Sequence, residues 1–269
     1  MADAMCVYRG MDIGTAKPTA AQQAMVPHHL IDLVEPHEDF SIAQLQQVGR
    51  DVIAQIEERG HRALVVGGSG LYVRAVVDGF SPPAQFPDHR AELDTEPDTE
   101  RLHARLCELD PLAASRMEPT NRRRVIRALE VTLGSGKPFS EHGSVSDYPP
   151  SRFRQVGLWT PRDVLAERIA ARYAAQMEAG FLEEVEHLAE RDPPMSRTAS
   201  QALGYRELLE HVRGRCSLDE ALQTAAGRTR VFARRQRVWF RRDPRITWLG
   251  TAGDPRTLLP ALLGDWGSR

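Results

Sequence analysis

A fully apolar run at residues 63–66, Ala-Leu-Val-Val, constrains the fold more than any other feature, because a glycine-rich turn ends it abruptly. The turn, Gly67-Gly-Ser-Gly70, leads into a helical pattern that continues to about Val77. An apolar run of this length, bounded by glycines, predicts a buried strand that passes directly into a helix.

The preceding segment has the same order of elements. Residues 29–34 predict a short buried strand, which Pro36 closes. Ser41 and Gln44 have the spacing of a capping box, so a helix is predicted from there to Gly60. Two strand–helix units in succession indicate parallel pairing, and the predicted fold class is therefore α/β with a parallel sheet.

The middle of the chain differs from its two ends. Proline and acidic residues precede a helical pattern from about 100 to 133, and a stretch rich in Gly, Ser and Pro follows. We predict that residues 84–150 form a mainly helical insertion. The α/β core would then consist of residues 1–83 and 151–269.

The pattern of the core returns after the insertion. Residues 155–159 predict a strand, and Thr160 is the expected cap of a long helix with a buried stripe from Leu165 to Val185. A helix at about 217–241 and a short strand at 246–249 complete the core.

Composition excludes several classes of protein. Of the 269 residues, 41% are hydrophobic and 27% are charged, so the chain is not disordered, collagenous or a coiled coil. Its three cysteines are far apart and odd in number, which indicates a reducing compartment and no disulfide framework. No apolar run approaches the roughly 20 residues of a membrane span, and no signal peptide is evident. We expect a cytoplasmic monomer without a membrane partner.

The positive charge is gathered into two segments. Net charge is only −2, yet eight arginines lie between Arg228 and Arg245, and a second cluster runs from Arg122 to Arg127. Because guanidinium groups bind phosphates through paired hydrogen bonds, these segments predict a nucleic-acid surface. Aromatic residues between the arginines would stack on bases or pack the core. Periodicity alone leaves RNA and DNA open.

The glycine turn at 67–70 has two interpretations. Backbone N–H groups at the start of a helix suit a phosphate, whereas a tight turn that needs positive φ would explain the same glycines. The turn lacks the spacing of a nucleophile elbow and of a Walker A loop.

Other candidates for chemistry are charged. Asp3, Asp12 and Asp32 lie at predicted strand or turn positions, where each could be a base or a turn residue. Arg168 and Arg172 are four residues apart on one helix face, where they would hold an anion or be solvated.

Six blocks together resemble the bacterial tRNA dimethylallyltransferases, and they occur in the order found in that family across nearly the whole chain. The blocks are residues 3–18 (DAMCVYRGMDIGTAKP), 27–32 (PHHLID), 67–72 (GGSGLY), 122–130 (RRRVIRALE), 201–206 (QALGYR) and 232–239 (FARRQRVW).

The resemblance implies a fold and a reaction. The fold would be P-loop NTPase-like, with a helical insertion that grips the anticodon arm. The reaction would transfer a dimethylallyl group from dimethylallyl diphosphate to the N6 amine of the adenosine 3′ of the anticodon. Its products would be N6-dimethylallyladenosine and diphosphate, with Mg²⁺ as cofactor and tRNA as macromolecular partner.

The resemblance also implies roles for particular residues. Asp3 matches the general base, and Ser69 and Arg172 match groups that bind the diphosphate. It leaves the metal ligands in this chain unknown, because in the family the Lys and Thr/Ser of an N-terminal loop that this sequence lacks would hold the diphosphate and Mg²⁺. The matching tRNA contacts are Asp3, Ala4, Met5, Cys6, Gly70, Arg123, Arg124, Val125, Ile126, Arg127, Gln201, Ala202, Leu203, Gly204, Tyr205 and Arg206.

One departure from the family lies at the N-terminus. The family has an earlier strand and a Gly-x-Thr-Ala-Ser-Gly-Lys-Thr/Ser loop, whereas Met1 here stands two residues before Asp3. We expect the true start to lie upstream and to supply this loop. The alternative is a catalytically inactive tRNA-binding remnant. A third hypothesis is a related enzyme that prenylates free adenine nucleotides, against which the arginine helix and the insertion argue.

Overall fold

The computed structural model describes residues 1–80, 82–142 and 148–267. It divides into two compact units, one made of Met1–Phe80 with Tyr148–Arg269 and the other of Ser81–Asp147. The architecture is mixed α/β, rich in helix, with a small parallel sheet. The predicted α/β class with parallel pairing is thus confirmed.

The helices in the described ranges are α1 (Ala20–Met25), α2 (Ile42–Glu58), α3 (Gly70–Val77), α4 (Pro87–Asp94), α5 (Thr99–Leu109), α6 (Pro111–Ser115), α7 (Arg122–Ser135), α8 (Arg162–Glu178), α9 (Phe181–Ala189), α10 (Tyr205–Val212), α11 (Leu218–Phe240) and α12 (Leu259–Gly267). The strands are β1 (Gln155–Trp159) and β2 (Ile246–Gly250). None of these helices is both long and apolar enough to cross a bilayer.

The sheet pairs two strands that are distant in the chain. β1 and β2 are parallel, with Gln155 opposite Ile246 and Trp159 opposite Gly250. Both were predicted as strands. An isolated parallel bridge also joins Tyr8 to Val34.

The strands predicted at 29–34 and 63–66 are wrong. Leu30 and Asp32 have left-handed φ values of 62° and 53°, so the first segment bends where a strand would run straight. In the second segment, Leu64 and Val66 are 64% and 52% exposed. A strand needs a neighbour to complete its ladder of hydrogen bonds, and no described strand pairs with this segment.

Helix α2 forms where its capping box predicts it. The Ser41 side chain accepts the Gln44 N–H, and the Gln44 side chain accepts the Ser41 N–H in return. Leu45 and Ile53 are buried in a cluster with Val76 of α3, which sets α3 against α2. This packing fixes the direction in which α3 leaves the glycine turn.

A buried charge cluster anchors the far end of α3. Arg74 forms an ion pair with Asp78, and both Asp78 oxygens accept from Arg245, at 2.7 and 2.9 Å. Arg245 also donates to Asp243 at 2.6 Å. Because Arg245 directly precedes β2, the cluster ties α3 to the start of that strand.

The long helix predicted after Thr160 is interrupted. Pro161 occupies the N-cap position, without a side-chain cap, so Thr160 is not the cap. Gly180 has φ of 96° and separates α8 from α9. The two helices still share one core, in which the rings of Phe181 and Tyr205 meet edge to face at 4.9 Å.

The described part of the 81–147 unit is helical. Leu106, Val125 and Leu129 lie in its core. Asp110 caps α6 by accepting the Ala113 N–H, and it also accepts the N–H and hydroxyl of Ser140. This carboxylate therefore joins α6 to the turn that follows α7.

Candidate functional site

The N-terminal segment lies against the glycine turn. The Ala2 N–H donates to the Val66 carbonyl at 2.7 Å, and Ala2 is fully buried. A Cβ on Gly67 would stand 2.2 Å from the Ala2 oxygen, so glycine is required for this approach. Asp3 is consequently held beside the start of α3.

Burial and neighbouring charges raise the pKa of two side chains near Asp3. Burial raises the pKa of Tyr72, in the first turn of α3, to about 12, with smaller contributions from Tyr8 and Asp3. Burial followed by Asp3 also raises the pKa of the Cys6 thiol to about 11. The Asp3 carboxylate itself is oriented by the Met5 N–H, which donates to Oδ1 at 2.8 Å.

The rest of the turn packs against α11. The Gln236 side-chain amide donates to the Gly68 carbonyl at 2.8 Å, and a Cβ on Gly70 would lie 2.1 Å from the Trp239 indole nitrogen. Gly67, Gly68 and Gly70 are not among the glycines with positive φ. The interpretation that these glycines serve a left-handed turn is therefore wrong, and close approach explains them.

Ser69 stands at the N-cap position of α3 and makes no side-chain cap hydrogen bond. Its hydroxyl is thus not committed to the helix that it precedes. The positive end of the α3 dipole lies at the same place, so this turn suits an anion.

Asp12 and Asp32 belong to an ion-pair cluster. The ammonium of Lys17 contacts Asp12 at 2.5 Å, Asp32 at 2.6 Å and the Tyr8 carbonyl at 2.8 Å. The Lys17 side chain is only 3% exposed. Both carboxylates therefore neutralise a buried cation, which favours a structural role over that of a base.

Arg172 and Arg168 differ in their surroundings. Arg168 donates to the carbonyls of Ala252 and Gly253, at 3.3 and 2.5 Å. Arg172 is exposed, next to Tyr173, whose hydroxyl bonds to Thr229 of α11 at 2.9 Å. Of the two arginines, Arg172 is the one without a hydrogen bond or ion pair to another described side chain, so it remains available to an anion.

A groove of about 530 Å³ lies beside α11. It brings one predicted tRNA-binding segment, 201–206, together with the arginine helix. Arg206 donates to Gln201 at 3.0 Å across its rim, and Arg228 donates to Glu207 at 2.6 Å. The lining residues are Gln201, Leu203, Arg206, Thr224, Gly227, Arg228, Val231 and Arg235.

The exposed arginines of α11 and its C-terminal turn extend this charged surface. They have no hydrogen bond or ion pair with another described side chain, and they are Arg230, Arg234, Arg235, Arg241 and Arg242. The aromatic residues of the helix do pack in part, since Trp239 lies against Gly70. Arg237 stacks over the Trp159 ring at 5.2 Å.

Several residues with an implied tRNA role have buried side chains. In the unit made of Met1–Phe80 and Tyr148–Arg269, called the main unit below, these are Cys6, Ala202 and Tyr205, and in the 81–147 unit they are Val125 and Ile126. Gly204, which has no side chain, is buried as well. The buried side chains pack the core and hold exposed neighbours in place. Among those neighbours, Arg123 and Arg124 are open, whereas Arg127 donates to Glu130 at 2.7 Å and to the Pro83 carbonyl at 2.6 Å.

Sequence reasoning missed Glu184. Its carboxylate accepts three consecutive backbone N–H groups, of Asp12, Ile13 and Gly14, and the hydroxyl of Tyr205. An acidic residue in the first turn of a helix is common, so nothing in the local sequence distinguishes it.

The fold and site define an α/β protein with an anion-suited turn next to a carboxylate and an arginine-lined groove. The chain belongs to the IPP transferase family, whose model matches residues 6–243. This confirms the resemblance stated from the sequence and makes the chain a member of a prenyltransferase family.

Individual relatives agree with this assignment. A tRNA dimethylallyltransferase of Roseiflexus castenholzii is 49% identical over 92% of this chain and 82% of its own length. A tRNA dimethylallyltransferase of Bifidobacterium longum is 46% identical over 92% of this chain and 75% of its own length. The solved full-length tRNA isopentenylpyrophosphate transferase of Bacillus halodurans is 37% identical, with a TM-score of 0.70 over 99% of this chain and 86% of that one. The P-loop NTPase-like class of fold is confirmed by this match.

Proposed function

We propose that this chain transfers the dimethylallyl group of dimethylallyl diphosphate to the N6 amine of the adenosine 3′ of a tRNA anticodon. The products are N6-dimethylallyladenosine and diphosphate. The observation that carries the proposal is the Ala2–Val66 hydrogen bond, which holds Asp3 beside the anion-suited turn at Ser69. A base next to an anion site is the arrangement that this transfer requires.

The residues take complementary roles in the transfer. The adenine N6 attacks the allylic carbon as the C–O bond to diphosphate breaks, and the diphosphate leaves with the electron pair. Asp3 accepts the proton that N6 loses, since an aryl amine is a weak nucleophile. Ser69, the N-terminal end of α3 and Arg172 stabilise the departing anion.

Magnesium fits the chemistry of this turn. The described residues contain no group of three side chains that could hold a metal alone. A hard cation that arrives on a diphosphate needs only one or two protein oxygens, and the uncommitted Ser69 hydroxyl is such an oxygen. When bound, Mg²⁺ would neutralise charge on the diphosphate oxygens.

The RNA would bind through the two arginine segments. The exposed arginines of α11 and the groove at 201–206 suit the phosphates and an unstacked base. Arg123 and Arg124 of the helical insertion would grip the anticodon arm separately. The target adenine must leave its stack to reach the allylic carbon. We propose that the chain acts as a monomer in the cytoplasm.

The decisive experiment offers the chain an anticodon hairpin, dimethylallyl diphosphate and Mg²⁺, and analyses the nucleosides by mass spectrometry. N6-dimethylallyladenosine is expected, and a hairpin with guanosine at the target position is the control. Hairpin binding without transfer would support the inactive remnant. Transfer to free AMP as efficiently as to the hairpin would support the free-nucleotide enzyme.

A further inference from the structure

One carboxylate in the main unit collects four hydrogen-bond donors. Glu184 lies in the first turn of α9. Its Oε2 accepts from Asp12 and Ile13 at 2.9 and 2.8 Å, and its Oε1 accepts from Gly14 at 3.2 Å and from the Tyr205 hydroxyl at 2.5 Å. Three consecutive backbone N–H groups aimed at one anion form a nest.

Neighbouring side chains pack closely against this loop. A Cβ on Gly14 would lie 2.2 Å from the Phe181 ring and 2.5 Å from that of Tyr205. The side-chain amide of Gln176 donates to the Ile13 carbonyl at 2.6 Å. Burial, and then the charge of Glu184, raise the pKa of Tyr205, so its hydroxyl remains a donor to that carboxylate.

Glu184 thereby connects two segments that are far apart in the sequence. The 12–14 loop continues from the segment that contains Asp3. Lys17, which follows the loop, forms ion pairs with Asp12 and Asp32. Tyr205 belongs to the 201–206 segment, which lines the groove beside α11. Because the carboxylate of Glu184 fills the nest, the nest is not the place where a diphosphate binds.

We propose that Glu184 is a positioning residue. Its hydrogen bonds hold the N-terminal segment and the 201–206 segment in the relative position that tRNA binding requires. This inference rests on the proposed function. It predicts an effect on tRNA affinity and none on the affinity for the prenyl diphosphate. A residue that served stability alone would lower the folded fraction and leave the remaining affinity unchanged.

The test uses Glu184→Gln, which keeps the shape of the side chain but turns an NH₂ group toward the N–H groups of the 12–14 loop or the Tyr205 hydroxyl. Tyr205→Phe removes only the hydroxyl partner. Glu183→Gln, an exposed neighbour in the same helical turn, is the matched control. Affinity is measured by the fluorescence anisotropy of a labelled anticodon hairpin, which does not depend on transfer. The readout therefore remains decisive even when the wild-type chain binds RNA without catalysing.

We expect Glu184→Gln to weaken hairpin binding by about 10-fold, the loss of one charge-assisted hydrogen bond. The KM for dimethylallyl diphosphate and the affinity of the control should stay within about twofold of wild type. The double variant Glu184→Gln/Tyr205→Phe should bind the hairpin no more weakly than Glu184→Gln alone, because both changes break one hydrogen-bond network.

Three results would overturn the proposal: unchanged hairpin affinity in folded Glu184→Gln, an equal rise in both substrates' KM, or additive losses in the double variant. If circular dichroism shows that Glu184→Gln does not fold, Tyr205→Phe decides alone. A two- to threefold or greater loss of hairpin affinity would then support the proposal, and wild-type affinity would reject it.

Discussion

The backbone N–H of Ala2 and the carbonyl of Val66 meet at 2.7 Å, and this bond aligns the first residues of the chain with the turn that opens α3. This bond joins two segments that are more than sixty residues apart in sequence. One contributes the Asp3 carboxylate, and the other contributes the Ser69 hydroxyl and a helix N-terminus.

Asp3→Asn should lower prenyl transfer by roughly 100-fold or more, because the amide cannot accept the proton from N6. The amide oxygen can still accept the Met5 N–H, so the local turn should persist. Single-turnover transfer and hairpin affinity are measured in parallel, with exposed Asp163→Asn as the control. Wild-type turnover in Asp3→Asn would remove Asp3 from the mechanism.

Arg172→Ala should raise the KM for dimethylallyl diphosphate by about 10-fold and leave hairpin affinity nearly unchanged. The reason is the loss of a charge-assisted contact to the diphosphate alone. Arg162→Ala removes an exposed arginine from the first turn of the same helix and should have little effect. A larger change in RNA affinity than in the KM would contradict the diphosphate role.

The double variant Arg234→Ala/Arg235→Ala should weaken hairpin binding and reduce its dependence on salt. Each lost phosphate contact lowers the slope of log affinity against log salt by about 0.7 for single-stranded RNA. Titrations at several salt concentrations give the slope. Arg213→Ala/Arg256→Ala removes the same charge elsewhere on the exposed surface and should leave the slope unchanged. A slope that is equal in both double variants argues against phosphate contacts on α11.

Asp110→Asn should destabilise the chain near neutral pH and leave it nearly unchanged in acid. Burial alone would raise the pKa of Asp110, but hydrogen bonds from Ala113 and Ser140 outweigh it and hold the pKa below its usual 3.8. A group with a lowered pKa stabilises the fold above its unfolded value, and that contribution disappears as the pH falls through the folded value.

The free energies of unfolding are measured by urea denaturation at about pH 6 and at several lower pH values down to about pH 2, because the contribution is lost only as the pH falls through a folded-state pKa below 3.8. Asp110→Asn should lower the free energy of unfolding by roughly 1–2 kcal/mol at the higher pH, because the cap of α6 and the hydrogen bonds from Ser140 are both weakened. The comparison is Asp98→Asn, because Asp98 is an exposed cap of α5 that accepts only from the first residues of its own helix. A loss that is independent of pH would show that the charge of Asp110 does not matter.

The sequence predicted the elements whose signals are local. Ser41 with Gln44 forms the capping box from which α2 was predicted, and that signal lies within four residues. The helix predicted at about 217–241 also forms, and the structure shows that it begins at a second capping box, Ser217 with Glu220. The strands at 29–34 and 63–66 failed because a strand depends on partners elsewhere in the chain. Apolar composition shows that a segment could be buried, but not that a neighbour is present.

The candidate site was predictable to a similar extent. The family resemblance supplied Asp3, Ser69 and Arg172, and their roles stay predictions. Glu184 could not be found in this way, because its donors come from the 12–14 loop and from Tyr205. Only the folded chain brings those donors to one carboxylate.

The crowding at Gly67, Gly68 and Gly70 has a consequence for any attempt to re-engineer the turn. Asparagine commonly replaces glycine where the backbone is left-handed, as at Gly60 and Gly136, which also have open space around them. At the turn the limit is volume, so even one methyl group would push aside Ala2, Gln236 or Trp239. Saturation mutagenesis should therefore return glycine alone at Gly67, which meets backbone, and at Gly70, which meets an indole ring. Gly68 meets only the flexible end of Gln236, so it should accept small residues, and the two open positions should tolerate asparagine.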